Sequence, residues 1–406
     1  MKRPVVITGM GAVTPLGEDV ASSWQALVAG KDADVPLELF DTAGCRCHRA
    51  AVASLPPLAE MRPKALSRLS RASRLAIPAA REALAAARLL DSAGGSLLPV
   101  LPLSVSTTAG GMAFGESVLR NALARKHSHL LGPAARYLPH QQILDLQQAL
   151  RFEGPSVILG NACASGANAL GHAAGMVSSG MADCVLTGGF EALTELVFIG
   201  FDCLQATTVE RCRPFDLKRS GLLLGEGAAF LVLETPEHAR QRGATPLCRL
   251  SGYGHGTDFF HLTQPQPDGQ ALVEVMRRAA DDAGLAPREI GYINAHGTAT
   301  PVNDSAEVRG YRTFLGESLD QTRISSTKAA IGHTLGAAGS IEALFAIQAL
   351  ITGNLPPQLN LQTPIPEIAA ALVTEKDASR PLRHAMSVNL GFGGSNAALV
   401  FSRHEN

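Results

Sequence analysis

One cysteine stands out by its neighbours. The segment Gly160-Asn161-Ala162-Cys163-Ala164-Ser165-Gly166-Ala167-Asn168-Ala169-Leu170 follows a β-branched run that stops at Leu159. The pattern predicts a strand, a tight turn holding Cys163, and a helix of small residues. A thiol at a helix N-terminus faces free backbone N–H groups and the positive end of the macrodipole, which favour thiolate over thiol. The small residues suit close helix packing, including packing on a second copy in a dimer. The same motif fits a buried structural cysteine equally well, and this stretch alone leaves both readings open.

Two further segments carry histidine. Asn294-Ala295-His296-Gly297-Thr298-Ala299-Thr300-Pro301 runs on to Asp304 and Glu307. A histidine at the C-terminal end of a parallel strand is where α/β enzymes place chemistry. Ser325-Ser326-Thr327-Lys328-Ala329-Ala330-Ile331-Gly332-His333-Thr334-Leu335-Gly336-Ala337-Ala338-Gly339 holds Lys328 and His333, with Glu342 one helical turn later. Either histidine alone fits a satisfied core residue. Cysteine, two histidines and a lysine, all at predicted strand ends with Gly-rich flanks, point together to one site. A fourth segment, Asn389-Leu390-Gly391-Phe392-Gly393-Gly394-Ser395-Asn396, sets three glycines around Phe392. It predicts a mobile loop that presents a ring and a backbone N–H, or more simply a Gly-rich hairpin turn.

These residues need elements to hold them. Val5–Thr8, Leu103–Thr107, Ser156–Leu159, Asp183–Thr187 and Ala228–Leu233 read as buried strands, with helical stretches around Asp19–Ala29, Leu66–Leu90, Phe114–Arg125 and Ala164–Ser179. The pattern then restarts. Strands at Pro246–Tyr253, Gly291–Ala295 and Arg323–Ser326 alternate with helices near Gly269–Ala283, Ser305–Phe314 and Ala337–Ile351. His384–Leu390 and Ala397–Phe401 close as a hairpin. The expectation is two similar α/β halves, 1–245 and 246–406, each with a largely parallel sheet covered by helices. Pro- and Gly-rich stretches at Leu55–Pro57, Gly94–Pro102, Gly353–Pro357 and Gln362–Pro366 read as surface loops.

Composition narrows the function. Apolar residues make up 46% of 406 and charged residues 17%, enough for a large core and too little charge for disorder. A net charge of −1 argues against nucleic acid or a membrane surface as the main partner. Forty glycines and one tryptophan suit an α/β enzyme with many short loops. No run is expected to cross a membrane, and the opening Met1-Lys2-Arg3-Pro4-Val5-Val6-Ile7-Thr8-Gly9 predicts no secretory leader. Seven cysteines without framework spacing predict reduced thiols and a cytoplasmic setting. Cys45-Arg46-Cys47-His48 has no second ligand pair at zinc-finger spacing, so no metal is expected.

In this order and spacing, the four motifs resemble those of the elongating β-ketoacyl-acyl carrier protein synthases of the thiolase superfamily. The likeness runs nearly end to end. It includes Thr8-Gly9-Met10-Gly11-Ala12-Val13-Thr14-Pro15-Leu16-Gly17 and Arg213-Pro214-Phe215-Asp216 leading to Gly225-Glu226-Gly227-Ala228. The resemblance implies duplicated βαβαβαββ halves in a five-layered αβαβα sandwich, and a dimer that is either homomeric or formed with a ketosynthase-like partner. It makes Cys163 the acyl-accepting nucleophile, His296 and His333 the pair that promotes malonyl decarboxylation, Lys328 their supporting cation and Phe392 the gate. It gives Thr298 and Thr300 contacts to malonyl and phosphopantetheine, and Glu342 and Asp304 supporting roles. The partner would be an acyl carrier protein, docked on Lys64, Arg68, Arg125, Lys126 and Arg213. Phosphopantetheine would arrive on that carrier, and no other cofactor would be needed.

The sequence also departs from the family's pattern. Ser220 and Leu222 stand where Asp and Phe are common, and Asn161 where Thr is usual. Ala299-Thr300-Pro301-Val302-Asn303-Asp304 replaces a Leu-Gly-Asp ending. Ala109, in Thr107-Thr108-Ala109-Gly110-Gly111, stands where primary fatty-acid enzymes often carry Ile or Met, which implies a deep acyl pocket and leaves a polyketide- or polyene-type pathway open. A degradative thiolase would want a second catalytic cysteine late in the chain, and none follows Cys248. A non-catalytic chain-length partner subunit would lack the nucleophile. A dinucleotide-binding reading of Gly9-x-Gly11 lacks the third glycine, and no Gly-x-Ser-x-Gly occurs.

Overall fold

The computed structural model describes residues 2–124, 131–374, 377 and 379–404. Among the described residues twelve strands form: β1 (Val6–Val13), β2 (Asp34–Pro36), β3 (Arg49–Ala51), β4 (Leu103–Ser106), β5 (Ser156–Leu159), β6 (Cys184–Glu191), β7 (Gly227–Glu234), β8 (Cys248–Thr257), β9 (Tyr292–Asn294), β10 (Arg323–Ser325), β11 (His384–Leu390) and β12 (Ser395–Arg403). Ten of them run in the order β10-β9-β11-β12-β8-β1-β7-β6-β4-β5, and β2 and β3 make a separate small hairpin.

The order reads the same in both directions from its centre. β5-β4-β6-β7-β1 and β10-β9-β11-β12-β8 are one topology used twice, joined where Val6 and Ile7 meet Arg249 and Cys248. Within each half four strands run in one direction, and the fifth, β7 in one half and β12 in the other, runs antiparallel between two of them. The sheet as a whole is mixed, and each half keeps the expected common direction for four of its five strands. β11 and β12 are joined by a turn of a few residues, and so short a link can only return the chain antiparallel.

Five helices matter to the site. They are α1 (Arg71–Ala86), α2 (Ser165–Ser179), α3 (Gln270–Ala283), α4 (Pro301–Leu315) and α5 (Ala338–Thr352). α1 lies on β1 and β7, and α3 on β8 and β12, with α4 beside it. α2 and α5 lie against each other, α2 on β6 and β4, α5 on β11, β7 and β12. The result is five layers, helix-sheet-helix-sheet-helix. Before its last turn α5 is apolar around its circumference except for Ser340, Glu342 and Gln348, and that length is covered, which suits a helix packed between two sheets. The span Leu335–Thr352 is long and apolar enough to cross a membrane, against the expectation from sequence, and 83% of it is buried inside the fold.

The two central helices approach closely because they carry no side chain where they meet. A Cβ on Gly339 would stand 2.3 Å from the Ala167 nitrogen, and one on Gly166 would stand 2.5 Å from the Ser340 nitrogen. Both helices stop at glycines in the left-handed region, Gly180 at φ 88° and Gly353 at φ 75°. Their N-termini therefore converge, and the candidate residues sit there.

Candidate active site

The chain leaves β5 at Leu159 and reaches Cys163 through a strained elbow. Ala162 holds φ at 56°, a region non-glycine residues seldom occupy. Cys163 then sits in a one-turn 3₁₀ helix, Ala162–Ala164, that feeds α2. Ser165 fixes the turn: its Oγ accepts from the Asn161 N–H at 2.8 Å and donates to the Ala162 carbonyl at 2.5 Å. Only 4% of Cys163 is exposed.

His333 comes to the thiol from the other half. After β10, the turn Lys328–Ile331 ends at Gly332, whose φ of 68° and closeness to the Leu224 carbonyl exclude a side chain. The His333 N–H then donates to the Leu223 carbonyl at 2.7 Å. Its Nε2 lies 3.0 Å from Cys163 Sγ. Its Nδ1 accepts from the Leu335 N–H at 3.3 Å, which assigns the ring proton to Nε2. His296 follows β9, with its ring centroid 5.4 Å from that of His333 and its plane at 87° to it. Lys328 and Glu342, each 1% exposed, form an ion pair beside them, and Asn389 Nδ2 donates to the other Glu342 oxygen at 2.7 Å.

This environment sets the protonation states. Burial pushes both histidines well below 6.5, and the Lys328 charge pushes them further. They are neutral at physiological pH and serve as N–H donors. Burial pushes the Cys163 thiol up to about 11, while the Lys328 charge and the Phe392 N–H, which meets the sulfur, pull it down. The expectation that the helix terminus favours thiolate is thus reversed in the resting site, because desolvation outweighs the dipole. An arriving thioester meets a thiol held by an N–H donor, an imidazole and a nearby ammonium.

Two buried carboxylates on α4 hold the His296 segment. Asp304 accepts from the Ala299 N–H at 3.1 Å and the Phe215 N–H at 2.8 Å, tying this loop to the Arg213-Pro214-Phe215-Asp216 motif. Glu307 accepts from the Gly297 N–H, Asn303 Nδ2 and the Tyr311 hydroxyl, each at 2.6 Å. Burial raises Asp304 to about 6 and Glu307 to about 7. Thr298 and Thr300, with their hydroxyls 3.0 Å apart, line the cavity that leads to Cys163, His296 and His333, as do Ser220 and Leu222.

Phe392 lines that cavity, its ring stacked on Phe201 with centroids 5.5 Å apart. Ala109 does not line it. Its N–H donates to Glu191 at 2.8 Å, and the same carboxylate accepts from Thr108 and Gly336, so Ala109 lies behind the His333 segment. Of the proposed docking residues, Lys64 and Arg68 are exposed. Arg213 is not available as expected: only 11% of its side chain is exposed, and it pairs with Glu210 and Gln362. Arg125 and Lys126 lie outside the described residues.

Sequence patterns missed Glu191, Asn389 and Phe201. Glu191 gave no signal, since it is one polar residue at the end of an apolar strand. Asn389 stood inside a motif chosen for its glycines. Phe201 lies on an unmarked helix, Glu195–Cys203.

A thiol at a strained elbow, faced by two neutral histidines and a buried lysine across a duplicated sandwich, defines a thiol acyl-transfer site. Residues 2–239 match the Beta-ketoacyl synthase, N-terminal domain, and residues 247–362 the Beta-ketoacyl synthase, C-terminal domain. The chain belongs to the beta-ketoacyl synthase family. It is 35% identical to the 3-oxoacyl-[acyl-carrier-protein] synthase 2 of Staphylococcus aureus (strain N315), over 99% of each chain. The fold superposes on the ishigamide ketosynthase/chain length factor with a TM-score of 0.92, at 30% identity and full coverage of both chains. It also superposes on a type II polyketide ketosynthase bound to its acyl-carrier protein, with a TM-score of 0.88 at 27% identity and full coverage of both.

Proposed function

We propose that this chain is a condensing enzyme that joins an acyl-thioenzyme to malonyl on an acyl carrier protein, giving a 3-oxoacyl thioester two carbons longer. The carrying observation is His333 Nε2 at 3.0 Å from the Cys163 sulfur, in a cavity that also presents His296. Cys163 attacks a carrier thioester and frees the phosphopantetheine thiol, with the Cys163 and Phe392 N–H groups receiving the oxyanion. Malonyl then enters beside Thr298 and Thr300. Its bond to the carboxylate breaks, CO₂ leaves, and the enolate oxygen takes hydrogen bonds from the two histidines. The new carbanion attacks the acyl-cysteine carbonyl, a C–C bond forms, and the C–S bond breaks to return the thiolate. Every bond balances without an electron carrier, so phosphopantetheine on the carrier suffices.

Cys163 in this geometry favours the catalytic subunit over a chain-length partner, which would lack the nucleophile. Lys64 and Arg68 would greet an acidic carrier. Ala109 lies one layer behind His333 and does not line the cavity, so it sets no width in this acyl pocket. β5 is an edge strand with Val157 39% exposed, and a second copy or a ketosynthase-like subunit would pair there. All seven cysteines are free, in keeping with the reducing cytoplasm.

The test is mass spectrometry of the protein after mixing with acyl-carrier proteins of graded chain length, followed by malonyl carrier. Acylation of the Cys163 peptide and a product longer by two carbons are expected. An unmodified Cys163 with every acyl carrier would overturn the reading.

A further inference from the structure

Among the described residues, one side-chain hydrogen bond ties the turn that carries Phe392 to the turn that carries Cys163. Gly391 donates to the Ser395 carbonyl at 2.7 Å, and Gly394 to the Gly391 carbonyl at 3.0 Å, so Ser395 closes the Phe392 turn. The Ser395 hydroxyl accepts from Asn161 Nδ2 at 2.7 Å. Asn161 is two residues before Cys163, and its own N–H is fixed by Ser165. Asn168 offers the same hydroxyl a second donor at 3.5 Å, the limit of a hydrogen bond, and its Oδ1 is held by the Tyr253 hydroxyl at 2.7 Å. The backbones are close as well: a Cβ on Gly391 would lie 3.3 Å from both the Asn161 carbonyl and the Ala164 nitrogen. Asn161 Oδ1 is buried with no hydrogen-bond partner among the described residues, so its Nδ2 contact is the bond that orients this amide.

We propose that Asn161 and Ser395 are a positioning pair whose hydrogen bond sets where the Phe392 N–H stands relative to the Cys163 sulfur. The inference rests on the condensing role of Cys163 and assigns a task to a side chain that departs from the family's usual threonine. A threonine hydroxyl is one heavy atom shorter in reach than the asparagine amide, so the longer side chain spans a wider gap between the two turns. Losing the bond leaves the Phe392 turn held by its backbone contacts and the long Asn168 contact, with the donor free to drift from the sulfur. Thiolate and oxyanion are both stabilised by that N–H, so both must suffer together.

The experiment reads both. Alkylation of Cys163 by iodoacetamide at pH 8, followed on its own peptide by mass spectrometry, reports the thiolate without any need for turnover. Asn161→Ala and Ser395→Ala are each expected to slow it about tenfold, the effect of one unit in the thiol's acidity. Each should also cut kcat for condensation about tenfold while the KM for malonyl carrier stays within about twofold, since the donor acts on charge that develops after binding. Ser395→Thr keeps the hydroxyl and should behave as wild type. The double alanine variant should be no slower than the slower single one, because both remove one bond. Unchanged alkylation in single variants that melt at the wild-type temperature would overturn the pairing, and so would additive losses in the double variant. Wild-type protein that fails to condense, while the alkylation differences persist, would sink the condensing reading and leave the geometry of the pair standing.

Discussion

At the scale of single residues, two jobs are divided between two groups of atoms. In the proposed mechanism Cys163 captures the acyl group, and His296 with His333 stabilises the enolate. Cys163→Ala is therefore expected to abolish condensation, while malonyl decarboxylation persists, measured as CO₂ release. Condensation at wild-type rate in that variant would refute the assignment. The histidines also set a pH signature. Both are pushed well below 6.5 by burial and by Lys328. Decarboxylation per folded molecule should then stay level from pH 8 to pH 6, and a rate that halves near 6.5 would show a histidine titrating normally. Stability behaves otherwise. A depressed folded-state value means the unfolded chain takes up protons first as pH falls below about 6.5, so the histidines' share of stability drops with acid from there downward, while the raised Asp304 and Glu307 contribute with the opposite sign. Urea melts at pH 7.5 and pH 5.5 separate the two effects.

At the scale of elements, the site depends on how closely α2 and α5 approach. Cys163 leads into one and His333 into the other, and Gly166 and Gly339 remove the side chains between them. Gly339→Ala forces a methyl within 2.3 Å of the Ala167 nitrogen, a position no side-chain rotation relieves. Overpacking of this kind costs about 1–3 kcal/mol. The rate should fall further than the stability suggests, because separating the helices stretches the 3.0 Å contact between His333 and Cys163. A variant that melts lower and still turns over at the wild-type rate would show the helix spacing to be irrelevant. Much of this was legible beforehand. All ten strands of the large sheet were visible as β-branched runs, and α2, α3 and α5 as periodic or small-residue stretches, because buried elements advertise themselves through their side chains. The β2–β3 hairpin was not, since three-residue strands carry too little pattern. The reversal at β7 was not legible either, because a buried strand is apolar whether its neighbour is parallel or not. The sulfur's acidity could not be read at all. A motif shows the helix terminus, and only the folded structure shows how completely water is excluded.

At the scale of the whole molecule, one edge of the sheet asks for a partner. The ten-stranded order ends at β10 on one side and β5 on the other. β5 is four residues long, with Val157 39% exposed and Ile158 and Leu159 only partly covered. An edge this apolar, carrying unpaired backbone groups, invites strand pairing with another chain. It also leads directly into the Cys163 elbow, so whatever covers β5 braces the nucleophile from outside. A second copy brought up by a two-fold axis sets β5 antiparallel to its own image and joins two sheets into one. Val157→Glu then places like charges near each other across the axis, and such pairs oppose association. In analytical ultracentrifugation the wild-type chain is expected to sediment as a dimer at micromolar concentration, and the variant to shift strongly toward monomer. Condensing activity should fall with the monomer fraction and return as protein concentration rises, because the brace on the elbow returns with the partner. Two results would break this argument. A wild-type chain that stays monomeric alone yet condenses at full rate needs no cover on β5. A variant that stays dimeric places the interface on another face.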